Sequence, residues 1–253
     1  MIMFILACTI FGILIGSMLN AIAIRWDDRL LSAYPPTYTV KAIVKPKYYE
    51  VIPIISIAMS KGTHKTGVVW RYPISDLITA ILFAQAAYYI GWKLELLAVL
   101  FFISILIIIV QTDLTDMIIP NKVVAAGVIG AVCIRLFVHP LPLLNYGIAA
   151  LVGSGALLVI GIVGSWVLKK ETMGGGDIKL YVFIGLILGI KLSLLSLFLA
   201  SLFGLIGGLA LIAAGAHSRG KTIPFGPYIA AGALAAYYWG NGLIDWYLSL
   251  LSM

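Results

Sequence analysis

Residues 2–24 run the length of a bilayer crossing without one charged side chain, and comparable apolar runs recur to the end of the chain. A helical span needs about 20 predominantly apolar residues, so a chain made of such runs has almost no way to fold in water. Composition agrees: 62% of the 253 residues are apolar and 11% are charged, against roughly 25% charged in soluble domains. The runs lack the period-two alternation of barrel strands, which excludes a membrane β-barrel. The expectation is an all-α polytopic membrane protein.

Charge sets its orientation. Residues 25–71 carry Arg25, Arg29, Lys41, Lys45, Lys47, Lys61, Lys65 and Arg71 against Asp27, Asp28 and Glu50, which marks this loop as cytoplasmic. No basic region precedes residues 2–24, so they read as an uncleaved first span and not as a signal peptide. Further spans are expected at about 76–91, 95–112, 122–138, 146–168, 178–190, 192–214 and 226–248, eight in all. Counted alternately, they leave only Lys93, Arg135 and Lys191 of the seventeen Lys and Arg outside. The net charge of +7 is thereby explained by topology, with membrane lipid as the surrounding partner and no nucleic acid implied. The chain divides into a first transmembrane helix (1–24), a cytoplasmic loop subdomain (25–71) and a transmembrane bundle (72–253). Weak alternation from Thr39 to Val44, with Pro35, Pro36, Pro46 and Pro53 interrupting any long helix, predicts a small, partly β fold for the loop. Cys8 and Cys133, both in apolar runs, read as small buried hydrophobes.

Ionisable groups at membrane depth are costly, so each needs a partner, water or a function. Two stretches supply them. Gln111-Thr112-Asp113-Leu114-Thr115-Asp116-Met117-Ile118-Ile119-Pro120-Asn121 ends the third span on the cytoplasmic side, and Met173-Gly174-Gly175-Gly176-Asp177-Ile178-Lys179-Leu180 opens the sixth on the same side. A pair of close carboxylates sharing one proton offers a base for water and an acid for a peptide carbonyl, with neither a covalent intermediate nor a metal. Glycines 174, 175 and 176 give the backbone freedom and let a second polypeptide approach Asp177. His64, His139 and His217 form no metal-ligand spacing, and no GxSxG or Walker loop occurs. Taken singly, a boundary Asp can be a helix cap and a GGGD run an ordinary loop.

The motifs together resemble those of the type IV prepilin peptidases, membrane aspartic proteases of the GxGD class. Gly16-Ser17-Met18-Leu19-Asn20 followed by Arg25 is similar to the family's first-span motif, and Arg71-Tyr72-Pro73-Ile74-Ser75-Asp76-Leu77 to its RYPxxEL segment, with Asp76 in place of glutamate. Asp113 through Pro120-Asn121 resembles the first catalytic motif, Gly174 through Leu180 the second, and Ile223-Pro224-Phe225-Gly226-Pro227 the family's IPFGP. The resemblance implies Asp113 and Asp177 as the catalytic pair. Asp116 competes for the first role, but the spacing of Asp113 to Pro120 fits the family. Gly174, Gly175 and Gly176 are implied as the loop beside which substrate passes; Lys179 either orients a carboxylate or extends to water. The implied substrate is the helix of a prepilin or pseudopilin, cut at the cytoplasmic face of a bacterial inner membrane. No cofactor is implied for proteolysis. S-adenosylmethionine is implied if the chain also methylates the new N-terminus, as many members do, and the sequence shows no Gly-rich cofactor loop that decides the matter. Many members bind zinc through two CxxC pairs in the first loop. Here Tyr34-Pro35-Pro36-Thr37 and Thr63-His64-Lys65-Thr66 stand in their places, so no structural zinc is expected. The rival class is an ion-coupled transporter or proton relay, because paired membrane carboxylates also mark ion paths.

Overall fold

The computed structural model describes residues 1–25, 71–169, 173–215 and 223–252. The regular structure among them is all α-helical: α1 (Ile2–Arg25), α2 (Arg71–Ile90), α3 (Glu95–Asp116), α4 (Asn121–Phe137), α5 (Leu143–Leu168), α6 (Gly175–Ala213) and α7 (Gly226–Leu251). Stretches within α1, α2, α3, α5 and α6 are long and apolar enough to cross a membrane. The loop expected to be cytoplasmic, with its expected β segment, its zinc-motif positions and His64, lies outside the described residues, as does His217.

The chain forms two compact units, Met1–Gln111 and Thr112–Met253, divided within the last turns of α3. In the first unit α1 and α2 are antiparallel and unusually close. A Cβ added at Gly12 would lie 2.8 Å from Ala80 Cα, and one added at Gly16 would lie 2.9 Å from Asp76 Cα. Small residues four apart let two backbones approach where lipid gives no hydrophobic drive for helix association. Leu6, Ile10 and Leu14 form an exposed stripe along α1, the expected outer surface of a span solvated by lipid. Phe4 stacks on Trp92 at 4.2 Å, pinning the start of α1 to the turn between α2 and α3.

In the second unit α6 is 39 residues long but is interrupted at Gly189, whose φ of 76° and ψ of 174° no helix contains. A Cβ on Gly153 of α5 would lie 2.6 Å from Ser193 Oγ and 3.7 Å from the Tyr181 carbonyl oxygen. A continuous helix would hold positions 181 and 193 about 18 Å apart, so the two halves, 175–188 and 190–213, fold back on each other around Gly189. The reversal leaves helix-end groups to be satisfied. Arg135, 3% exposed, donates to the Ile187 carbonyl at 2.5 Å and, through Nη1, to the Val138 carbonyl at 3.1 Å. Asn145 Oδ1 accepts from the Ile190 N–H at 3.0 Å. The Arg135 guanidinium also lies 4.6 Å over the Tyr146 ring.

One expectation changes. Cys8 is buried but Cys133 is exposed, together with Ile129, Val132 and Leu136 on the same helix. An apolar run in a membrane protein need not point inward, because its outer face meets lipid. Pro120 is the N-cap of α4.

Candidate functional site

Asp113 lies in the last turn of α3 and is 6% exposed. Its Oδ2 accepts the Gly226 backbone N–H at 2.6 Å, across 113 residues of chain. Gly226 opens α7, and a Cβ there would fall 2.7 Å from that same oxygen. The IPFGP run is thus a wall of the Asp113 site as well as the start of a helix. Helix α3 ends at Asp116, and the next residue, Met117, takes a left-handed φ of 54° while its N–H bonds the Asp113 carbonyl at 2.9 Å. That reversal brings Ile119 and Asn121 back toward the start of α6.

Asp177 occupies the third position of α6, after the N-cap Gly174. Its N–H bonds the Gly174 carbonyl at 3.1 Å, and its carboxylate stands in the first turn of the helix, where acidic groups are favoured. Asp113 and Asp177 lie within electrostatic reach of each other, with no hydrogen bond directly between them. Asp116, the competitor, is half-buried at the end of α3 and makes interactions of its own.

The three glycines play unequal parts. None has a positive φ, and Gly174 is extended at φ −73° and ψ 137°, a conformation open to any residue. The backbone freedom expected of the triplet is therefore not used here, because Gly175 and Gly176 already belong to the first turn of α6. What Gly176 supplies is room, since its Cβ would come within 2.9 Å of Ile119 Cβ. A Cβ on Gly174 would sit at an ordinary 3.5 Å from Asp177 Oδ2, and one on Gly175 would meet nothing within 4 Å.

Lys179 lies two residues after Asp177 on α6. It is exposed, and its Nζ donates to Asn121 Oδ1 at 2.9 Å, tying the first turn of α6 to the first residue of α4. Asn121 and Lys179 both belonged to motifs noted in the sequence, but nothing in their spacing revealed that they bond each other. The Gly226 contact was missed for the same reason, because a backbone donor leaves no side-chain signature. The motif was the only signal.

Within the first unit, Asp76 is 4% exposed and is held by Asn20 Nδ2 at 2.8 Å and, more loosely, by Ser17 Oγ at 3.5 Å. The first-span motif and the RYPxxEL-like segment are therefore one polar contact between α1 and α2. Ser75 Oγ and Gln111 Nε2 bond at 2.5 Å. Among the described residues, no three His, Cys, Asp or Glu side chains gather into a metal-holding group.

Apolar helices of bilayer length, with two aspartates brought within reach at helix ends, define a membrane protein carrying an acid pair. Comparison with known proteins makes the class specific. Residues 100–209, which contain both aspartates, match the Type IV leader peptidase family, and residues 10–90 match the Bacterial Peptidase A24 N-terminal domain. The chain is 33% identical to a prepilin leader peptidase/N-methyltransferase of Bacillus subtilis over 95% of its own length and 96% of that protein's. Similarity extends to proteins of the same name from Aeromonas salmonicida, at 33% identity over 80% of this chain and 70% of that one, and from Legionella pneumophila, at 26% over 94% and 92%. No solved structure matches. The chain belongs to the type IV leader peptidase family.

Proposed function

We propose that this protein is an aspartic endopeptidase that removes the leader peptide of a type IV prepilin or pseudopilin, with Asp113 and Asp177 as its catalytic pair. What supports the reading is that the segment just after α3 folds back on the start of α6, through Ile119 beside Gly176 and Asn121 bonded to Lys179, so that Asp113 and Asp177 come from distant sequence within electrostatic reach of each other. One carboxylate takes a proton from water as it attacks the scissile carbonyl, and the other gives its proton to the carbonyl oxygen. The substrate's apolar helix lies among the spans, and its basic leader extends into the cytosol.

In the same reading the chain crosses a bacterial cytoplasmic membrane eight times. Each half of α6 counts as one crossing, α4 and α7 complete the set, and the pair faces the cytoplasm. Residues 1–24 are the first span, 25–71 a cytoplasmic subdomain, and 72–253 the bundle that holds the pair. The relatives' printed name extends to N-methyltransferase, so methylation of the new N-terminus from S-adenosylmethionine belongs to the reading as a second activity. Among the described residues, the one buried carboxylate outside the pair is Asp76, already enclosed by Asn20 and Ser17. It does not fit as an acceptor for the ribose of such a donor.

The test is incubation of the purified protein with a prepilin in detergent or vesicles. A shortened product beginning at the mature N-terminus supports the reading, whereas an ion flux dependent on both aspartates, without cleavage, would replace it with the transporter class.

A further inference from the structure

We propose that Gly226 is a positioning residue for Asp113: its backbone N–H fixes the carboxylate through Oδ2, and its missing side chain is the condition for that contact. The inference rests on the catalytic reading of Asp113 and Asp177.

Three observations carry it. The first is the hydrogen bond itself, 2.6 Å from an N–H to a buried carboxylate oxygen. A charge-assisted bond of that length is among the stronger ones a protein makes. The second is the space. With a Cβ at residue 226 placed 2.7 Å from Oδ2 and 3.0 Å from Asp113 Cβ and Cγ, any other residue would push the carboxylate off its present position. The third is the local grammar of α7. Phe225 is the N-cap, Gly226 the first helical residue, and Pro227 follows it without an N–H to give. Tyr228 and Ile229 both donate to the Phe225 carbonyl, at 3.1 Å each. Among the first-turn amides, the Gly226 N–H is thus the one aimed away from its own helix and onto Asp113.

The arrangement suits a residue that must keep its own proton chemistry. A backbone amide does not titrate near neutral pH, cannot take the proton from its partner, and adds only the partial positive charge of a helix start. The Gly226 bond engages Oδ2, so Oδ1 can accept from a water or, when protonated, donate to a peptide carbonyl.

The experiment compares wild type, Gly226→Ala and, as a packing control, Gly232→Ala, whose Cβ would lie 2.6 Å from Ala200 N and 2.8 Å from the Ser196 carbonyl oxygen. Misplacing a reacting group by about an ångström costs on the order of 100-fold in rate. Gly226→Ala is expected to lower kcat by about that factor with KM for prepilin within about twofold, to change the pH profile, and to keep most of its melting temperature. Gly232→Ala is expected to lose melting temperature first, with activity restored on cooling. An independent readout is the Gly226 amide resonance of labelled protein. It is expected to titrate with Asp113 and to exchange at least about tenfold faster in Asp113→Ala, while the Tyr228 and Ile229 amides stay as they were. Full activity in Gly226→Ala, or an amide indifferent to Asp113→Ala, overturns the inference while prepilin cleavage by wild type stands. Should wild type fail to cleave, the catalytic reading falls and takes this inference with it.

Discussion

Single residues decide which carboxylates are chemical. An amide in place of either acid cannot pass a proton, so Asp113→Asn and Asp177→Asn are each expected to abolish prepilin cleavage while the protein stays inserted and folded. Asp116→Asn is expected to retain most activity; an active 113 variant beside a dead 116 variant would reverse the assignment. The glycines divide more finely than their sequence indicates. Gly175 has open space where a side chain would go, and Gly176 has Ile119. Gly175→Val is therefore expected to melt as wild type but to cut at least about tenfold more slowly if the substrate backbone passes there. Gly176→Val is expected to lower both melting temperature and activity, because Ile119 must give way. A Gly175→Val enzyme with full activity would remove the substrate from that face of the loop. The site was legible as far as its acids, because ionisable side chains are rare in apolar runs and stand out. The donor holding Asp113 was not, since it is the main chain of Gly226, and a hydrogen-bonding main chain looks the same in every sequence.

Helices were legible nearly to their ends, for apolar length is what the bilayer demands and what the eye counts. Expected spans 95–112 and 146–168 became Glu95–Asp116 and Leu143–Leu168, the additions Asp113 to Asp116 and Leu143 to Asn145 mixing leucines with polar residues. The contacts between helices were not visible. Gly12 and Gly16 sit in an ordinary apolar run, and only their positions opposite Ala80 and Asp76 give them a role. Arg135 looked like an external charge and proves to be a buried cap for the Ile187 carbonyl. Removing it leaves a buried acceptor without that donor, a loss of about 1–3 kcal/mol. Arg135→Met is therefore expected to destabilise the protein by that amount in detergent unfolding. Arg135→Lys is expected to recover part of it, because an ammonium lacks the fork that reaches the Ile187 and Val138 carbonyls together. Equal stability of all three proteins would show that the contact contributes nothing.

At the scale of the whole molecule, proteolysis by two acids requires that one proton be shared between them. At low pH both carboxyls are protonated and no base remains for water. At high pH both are ionised and no acid remains for the carbonyl. Cleavage measured against pH in vesicles is expected to fall on both sides of an optimum, with two apparent ionisations that belong to the pair and not to either residue. A profile with one limb would argue for a single acting carboxylate.

The fold at Gly189 has a consequence for how the chain is made. Were α6 one uninterrupted rod, its 39 residues would be about 58 Å long, close to twice the roughly 30 Å of hydrocarbon available. The insertion machinery thus receives one apolar stretch that it must resolve either as a single crossing with a large overhang or as a hairpin delivered whole. Gly189 tips that choice. A branched residue there disfavours the left-handed turn and also strikes Asn145 Oδ1, 2.6 Å from its Cβ. Gly189→Val is expected to send a fraction of molecules through as a single crossing, which inverts everything after it. In those molecules α7 starts on the wrong side of the membrane, Gly226 never meets Asp113, and a tag placed after Ser252 becomes reachable from the cytosol. A tag that stays on one side in every Gly189→Val molecule would show that the hairpin is fixed by its neighbours before the turn is ever tested.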